Sequence, residues 1–265
     1  MRHSVPTRSI LWAYTGLVAF VLIAPTAVVI PLSFTDKASL NFPPSGWSLR
    51  WYGNFFSDPA WTSAFGNSVL IAVVVAVAAT ATGTAASVGL QRWTRRRAAK
   101  STQALLLAPI VVPSIILAIG VYAIFLRLHL LGTLTGFVLA HTVLAVPFVV
   151  VSVTAALAGY DGRLTTAASS LGAGRWTAFR RVMLPLIMPG VVSGALFAFV
   201  TSFDEVVLSI FIKSPYLETL PVKMYASVTR DTDPTIAAAA TMIMLLTTAI
   251  IAVGLLSIRR RKRVQ

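Results

Sequence analysis

The chain has 265 residues, of which 57% are hydrophobic and 11% charged, and its mean hydropathy is +0.82. Soluble domains carry about 25% charged residues, so this composition excludes an ordinary soluble domain and indicates a polytopic membrane protein. There is no cysteine, which excludes disulfides, thiolate metal sites and cysteine nucleophiles. The net charge of +14 raises nucleic acid as a partner, and the placement of the charges decides that question.

A membrane-spanning helix needs about 20 apolar residues. Six such stretches follow in chain order: about 10–34, 65–90, 102–126, 134–157, 189–212 and 236–258. The apolar run after Arg2 and Arg8 is long and shows no small-residue cleavage site, so it is read as a retained first span. The expectation is an all-α chain with six transmembrane helices in a single domain over 1–265. Prolines recur in or beside the spans (Pro25, Pro31, Pro109, Pro113, Pro147 and Pro189), where each removes a backbone donor and can kink a helix. Small residues crowd the second span (Gly83, Ala85, Ala86, Ser87, Gly89), as close helix contact requires.

The basic residues fall mostly on one side of these spans. That side has Arg2 and Arg8, five cations between Gln91 and Ser101, four arginines between Gly159 and Met188, and five cations from Arg259 to Arg263. The other side has Lys37, Arg50, Arg127, Lys213, Lys223 and Arg230. The bias predicts both termini and the Gly159–Met188 loop in the cytoplasm. The positive charge is therefore topogenic, membrane lipid is a partner, and no nucleic-acid partner is expected.

The outer segment 35–64 carries Trp47, Trp51, Tyr52, Phe55, Phe56 and Trp61, which reads as an interfacial belt or a short helix on the outer surface. The segment 213–235 is too long for a tight turn and is expected either to fold back or to cover the outer mouth.

The stretch Gly159–Gly190 is the longest polar interruption on the basic side and reads as short helical pieces. Thr165 to Leu171 is rich in alanine, and Gly172 and Gly174 can end that piece. Trp176 to Leu184 is a second amphipathic piece, expected to stop at Pro185.

Two acids fall within a predicted span: Asp204 and Glu205, in S-F-D-E-V-V-L-S-I-F. A carboxylate at that depth costs a few kcal/mol unless paired or wet. The functional reading is a path for a cationic solute, and the alternatives are a buried pair with Arg127 or Lys213, or a residue that snorkels to the outer surface. His129 and His141 lack neighbours at metal-ligand spacing, so no metal site is predicted, and His141 is expected at a helix contact. No P-loop, nucleophile elbow or zinc-protease motif occurs, so no catalytic residue is assigned. Uphill transport by this chain needs energy from another subunit or an ion gradient.

The run Thr166-Ala167-Ala168, three residues, Gly172, nine residues, Val182-x-Leu184-Pro185 resembles the EAA loop of ABC importer permeases. Thr166 stands where that family usually has Glu, and Val182 where it usually has Ile. The resemblance implies a type I importer permease fold and a helix that docks on a cytoplasmic ATPase, formed here by Thr166, Ala167, Ala168, Gly172, Arg175, Leu184 and Pro185. The runs S-F-D-E-V-V-L-S-I-F-I, E-T-L-P-V-K-M-Y and D-P-T-I-A-A-A-A-T are similar to the second permease of spermidine/putrescine-type importers. The implied partners are an ABC ATPase dimer, which would hold ATP-Mg, a second related permease and an extracytoplasmic solute-binding protein. The chain itself would bind no cofactor, and it would reside in the bacterial plasma (inner) membrane. Relatives of this group also handle other amines, phosphonates or iron complexes, and an ion-coupled carrier without an ATPase is the rival class.

Overall fold

The computed structural model describes residues 5–91, 96–230 and 233–262. Of the cations counted above, Arg2, Arg92, Arg95 and Arg263 lie outside the described residues. The described chain is built from helices in the order α1 (Val5–Leu32), α2 (Arg50–Ser57), α3 (Pro59–Gln91), α4 (Arg96–Val111), α5 (Ser114–Leu128), α6 (Leu134–Ala158), α7 (Arg163–Ser170), α8 (Arg175–Ala178), a π-helical turn (Phe179–Met183), α9 (Leu184–Phe203), α10 (Val207–Ile212), α11 (Leu220–Arg230) and α12 (Thr235–Lys262). Among the described residues, five helices are long and apolar enough to cross a membrane, and the pair α4 and α5, bent by 102°, passes the same test together. Counting that pair as one span gives the expected six. The described part forms two compact units, Met1–Thr62 with Met224–Leu246, and Ser63–Lys223 with Thr247–Gln265.

The first unit contains α1, whose apolar span Ser9–Leu32 has no fully buried residue in contact with the other described residues. After α1 the chain turns through a bridge between Thr35 and Trp47 into α2. The α2 helix is amphipathic: Trp51 and Phe55, four residues apart, share its buried face, while Phe56 is exposed. The Trp51 indole donates to the Thr35 carbonyl at 2.8 Å, and the Asn54 amide donates to Thr235 Oγ1 at 2.8 Å. A short helix does form here, but Trp51, Phe55 and Trp61 point inward. The aromatic density is thus partly core, while Phe42, Trp47 and Phe56 remain exposed.

The second unit is organised on α6. Thr133 caps it, its hydroxyl accepting from the Gly136 N–H at 3.0 Å. Its core combines Ile71 and Val75 of α3, Phe137, Val149 and Val153 of α6, Ile187 and Ala198 of α9, and Leu208 and Ile212 of α10. Helices α6 and α9 pack at close range because α9 presents glycine there: a Cβ on Gly190 would lie 2.8 Å from the Ser152 carbonyl oxygen. Small residues on α3 serve the same end, since a Cβ on Gly83 would lie 2.8 Å from Val149. The segment after α10 folds back as expected. Lys213 pairs with Glu218 at 3.4 Å, and the Leu220 N–H donates to Ser68 Oγ on α3 at 2.8 Å.

Three predicted boundaries change. The span 102–126 is two helices, because Pro113 excludes the α conformation from the residue before it and starts α5 in a new direction. Pro25, Pro31, Pro109, Pro147 and Pro189, by contrast, lie inside continuous helices. The span 189–212 is displaced: an unbroken helical rod runs from Arg175 to Phe203, then breaks at Asp204 before α10. Pro185 does not stop the helix. A proline within a helix lacks an N–H and collides with the carbonyl four residues back, and the widened turn just before it relieves that collision. There the Leu184 N–H donates to the carbonyl of Phe179, five residues back.

Candidate functional site

Two parts of the second unit carry the sequence-predicted residues: the loop between α6 and α9, and the break between α9 and α10.

The loop begins where α6 ends at Ala158. The Asp161 carboxylate accepts from the Arg163 N–H at 2.9 Å and starts α7, and the Tyr160 hydroxyl bonds Thr165 Oγ1 at the same end. The far end of α7 is closed by backbone alone. The Ala173 N–H donates to the Ala168 carbonyl and the Gly172 N–H to the Ser169 carbonyl, each at 3.0 Å. This paired closure is the Schellman arrangement, and it needs a left-handed residue at Gly172, whose φ is +84°. A Cβ at Gly172 would meet nothing within 4 Å, so its backbone conformation and not crowding requires glycine. Gly174 is different: its φ of −63° and ψ of 161° suit any residue.

No residue of α7 is buried. Thr166 and Ala167 are exposed and Ala168 is half-buried. The Thr166 hydroxyl reaches only the Gly162 carbonyl, at 3.5 Å. Leu171 is 89% exposed and Trp176 69%, with the Trp176 ring 5.5 Å from that of Phe179. Arg175 and Pro185 are exposed as well, and Leu184 is half-buried. The segment is anchored from beneath by Ala178 and Met183, both buried. The result is a structured polar surface with the apolar side chains of Leu171 and Trp176 turned outward.

At the break, the sequence-predicted acids part company. The Glu205 carboxylate accepts from the Leu208 N–H at 2.8 Å and so caps α10, where a negative charge meets the positive end of the helix. Asp204 lies at the end of α9 as an exposed residue, and its side chain has no hydrogen-bond or ion-pair partner among the described residues. Lys213 is engaged by Glu218, so the expected alternative of a Lys213 pair with these acids is not formed. The depth also changes. From Leu184 to Phe203 the helix rises about 30 Å at ~1.5 Å per residue, a full membrane core, which puts Asp204 at the far end of that helix from the loop.

His141 of α6 is wholly buried, with Nδ1 3.0 Å from Ser202 Oγ and Nε2 3.0 Å from Ser209 Oγ. The expected helix contact is therefore made, but with named serine partners that the sequence reading did not find. A histidine in an apolar span calls for polar partners, but no spacing in the sequence names Ser202 and Ser209 as those partners. His129 takes the left-handed position that ends α5, with φ of 55°. Among the described residues no three His, Asp or Glu converge as metal ligands.

Comparison with known proteins gives these features a context. The family model for the binding-protein-dependent transport system inner membrane component matches residues 79–263. The putrescine transport system permease protein PotI of Escherichia coli K12 is 35% identical over 229 residues, covering 84% of this chain and 81% of PotI. The spermidine/putrescine transport system permease protein PotC of Haemophilus influenzae is 32% identical over 249 residues, covering 94% of this chain and 96% of PotC. Among solved structures, a bacterial alginate ABC transporter in complex with an alginate pentasaccharide-bound periplasmic protein shares the fold at a TM-score of 0.73, with 13% identity and coverage of 94% and 93%. A chain of the MetNI methionine ABC transporter shares it at 0.61, with 18% identity, over 77% of this chain and 99% of that one. The chain belongs to the family of binding-protein-dependent transport system inner membrane components and is a multi-pass permease subunit of the bacterial inner membrane.

Proposed function

We propose that this permease subunit forms part of the path of an ATP-driven importer for a small cationic solute of the polyamine class, received from an extracytoplasmic binding protein. The observation that carries this reading is the identity to putrescine and spermidine/putrescine permeases over most of both chains. The partners are a second related permease, which lines the other side of the path, and an ABC ATPase dimer. ATP-Mg is bound and hydrolysed in that dimer, and this chain contributes no catalytic residue and no cofactor. Both termini and the loop 159–188 face the cytoplasm, as the distribution of cations favours.

Each part of the reading has a physical support. The exposed α7–α8 surface, with Thr166, Ala167, Ala168, Gly172 and Arg175 and the outward Leu171 and Trp176, has the shape and apolar content to seat in a groove of the ATPase. The helix from Arg175 to Phe203 joins that surface to the break without interruption, so movement of the ATPases is passed to the outer end of the span. Asp204 offers an unpaired carboxylate there, suited to an alkylammonium group, while Glu205 shapes the backbone beside it.

The test is uptake of labelled putrescine and spermidine by the complete importer in proteoliposomes. Asp204→Asn is expected to lower uptake at least about tenfold, the equivalent of ~1.4 kcal/mol of lost charge interaction, while the ATPase still co-purifies. Uptake at the parental rate would exclude Asp204 from the path. Failure of any Walker-A-containing protein to co-purify with the unmodified chain would exclude the importer itself.

A further inference from the structure

The break between α9 and α10 poses a physical problem. The α10 helix has six residues, too few to hold itself as an isolated helix. Its C-terminal end is tied by the Gly132 N–H, which donates to the Ile212 carbonyl at 2.8 Å, and its N-terminal end is capped by Glu205. Neither contact reaches back across the break to α9.

His141 does. Ser202 lies in the last turn of α9 and Ser209 in α10, and one imidazole bonds both hydroxyls from its two nitrogens, each at 3.0 Å. The ring is rigid and planar, so the two serine oxygens are held at a separation and angle that a flexible side chain would not fix. Each hydroxyl can donate or accept, so either tautomer satisfies both bonds. The ring is held in turn: it is wholly buried and stands 5.7 Å from the Phe137 ring one turn earlier on α6. The residues enclosed between the two serines are Phe203, Asp204, Glu205, Val206, Val207 and Leu208. The exposed residue Asp204 therefore sits inside a loop whose two ends are stapled to a third helix.

We infer that His141 is a positioning residue: through Ser202 and Ser209 it fixes the angle of the α9–α10 break and hence the place at which Asp204 is presented. Its consequence for transport rests on the reading of Asp204 given above, and the geometric role does not.

The sequence has no cysteine, so one introduced into it is the single thiol read when this subunit is separated after labelling. Asp204→Cys is introduced as a reporter into the assembled importer in lipid nanodiscs, and its rate of labelling by a charged maleimide is measured with and without His141→Ala. Trp47→Cys, at an exposed position in the segment between α1 and α2, is the control. His141→Ala is expected to change the rate at position 204 by at least about threefold, the scale of one lost buried hydrogen bond, and to leave position 47 unchanged. Ser202→Ala and Ser209→Ala shift the rate in the same direction singly and add nothing in the His141→Ala background, because the three act as one unit. His141→Gln, which can retain one of the two bonds, recovers part of the parental rate. A purely packing role for His141 would lower thermal stability and leave the labelling rate at position 204 equal to that of the parent, which overturns the proposal. If His141→Ala does not assemble, the two serine variants decide: parental rates in both overturn it. Parental polyamine uptake in Asp204→Asn, with the labelling shifts still present, overturns the solute reading alone.

Discussion

The loop at Gly159–Gly190 and the break at Asp204–Val206 lie at opposite ends of one helical rod, and they are held in opposite ways. The α7 turn is closed by its own backbone, through hydrogen bonds spanning three to five residues, and α7 buries no side chain. The break is held by a ring 61 and 68 residues away in sequence from the hydroxyls it bonds. A surface kept in shape by local bonds keeps that shape whatever covers it, which suits docking. A bend kept in shape by a distant, buried side chain depends on how the helices around it are packed, which suits a site that must change between two states.

This contrast is most sharply broken at Gly172. Gly172→Val places a β-branched residue at φ of +84°, a cost of about 2 kcal/mol or more, and no buried side chain is available to compensate. Transport and solute-stimulated ATP hydrolysis in proteoliposomes are expected to be lost while membrane insertion is normal. Gly172→Asn, which tolerates the left-handed region, is expected to retain most activity. If valine is as active as asparagine, the loop is not held by its backbone closure.

A smaller effect is expected at the other end. Glu205→Gln weakens the cap of α10 by about 1 kcal/mol but leaves the His141 staple in place. The melting temperature in detergent should fall by only a few degrees, and uptake should fall far less than in Asp204→Asn. Equal losses in Glu205→Gln and Asp204→Asn would mean that the two acids share one role.

The smallest effect concerns Thr166. It is exposed and its hydroxyl makes a single long bond within the first turns of α7, so Thr166→Glu adds a negative charge near a helix start worth at most about 0.5 kcal/mol to the loop itself. Stability is expected to be unchanged within that margin. A gain in ATPase affinity, measured by binding to the purified permease complex, would place position 166 in direct contact with the ATPase.

The same contrast explains what could be read from the chain. The six spans and the Gly172 turn were legible, because hydrophobic length and glycine placement act over a few residues. The rod from Arg175 to Phe203 was not: Pro185 reads as a stop, and only the widened turn at Phe179–Met183, a tertiary accommodation beneath which Met183 and Ala178 are buried, lets the helix pass through it. The bend at Pro113 was foreshadowed by the residue type but not its size. For the acids, residue type and approximate depth singled out both, while their division of labour followed from which one meets the α10 N-terminus. The partners of His141 lay beyond local pattern altogether, since they depend on the packing of α6 against α9 and α10.

The rod has one further consequence. Its 29 residues from Arg175 to Phe203 extend about 43 Å at ~1.5 Å per residue. It is a lever arm, and tilting it by about 5° at the arginine end swings the phenylalanine end by about 4 Å, the width of a methylene chain. Under the function proposed above, a small angular displacement at the loop end is therefore enough to open or close a gap at the other end of the rod.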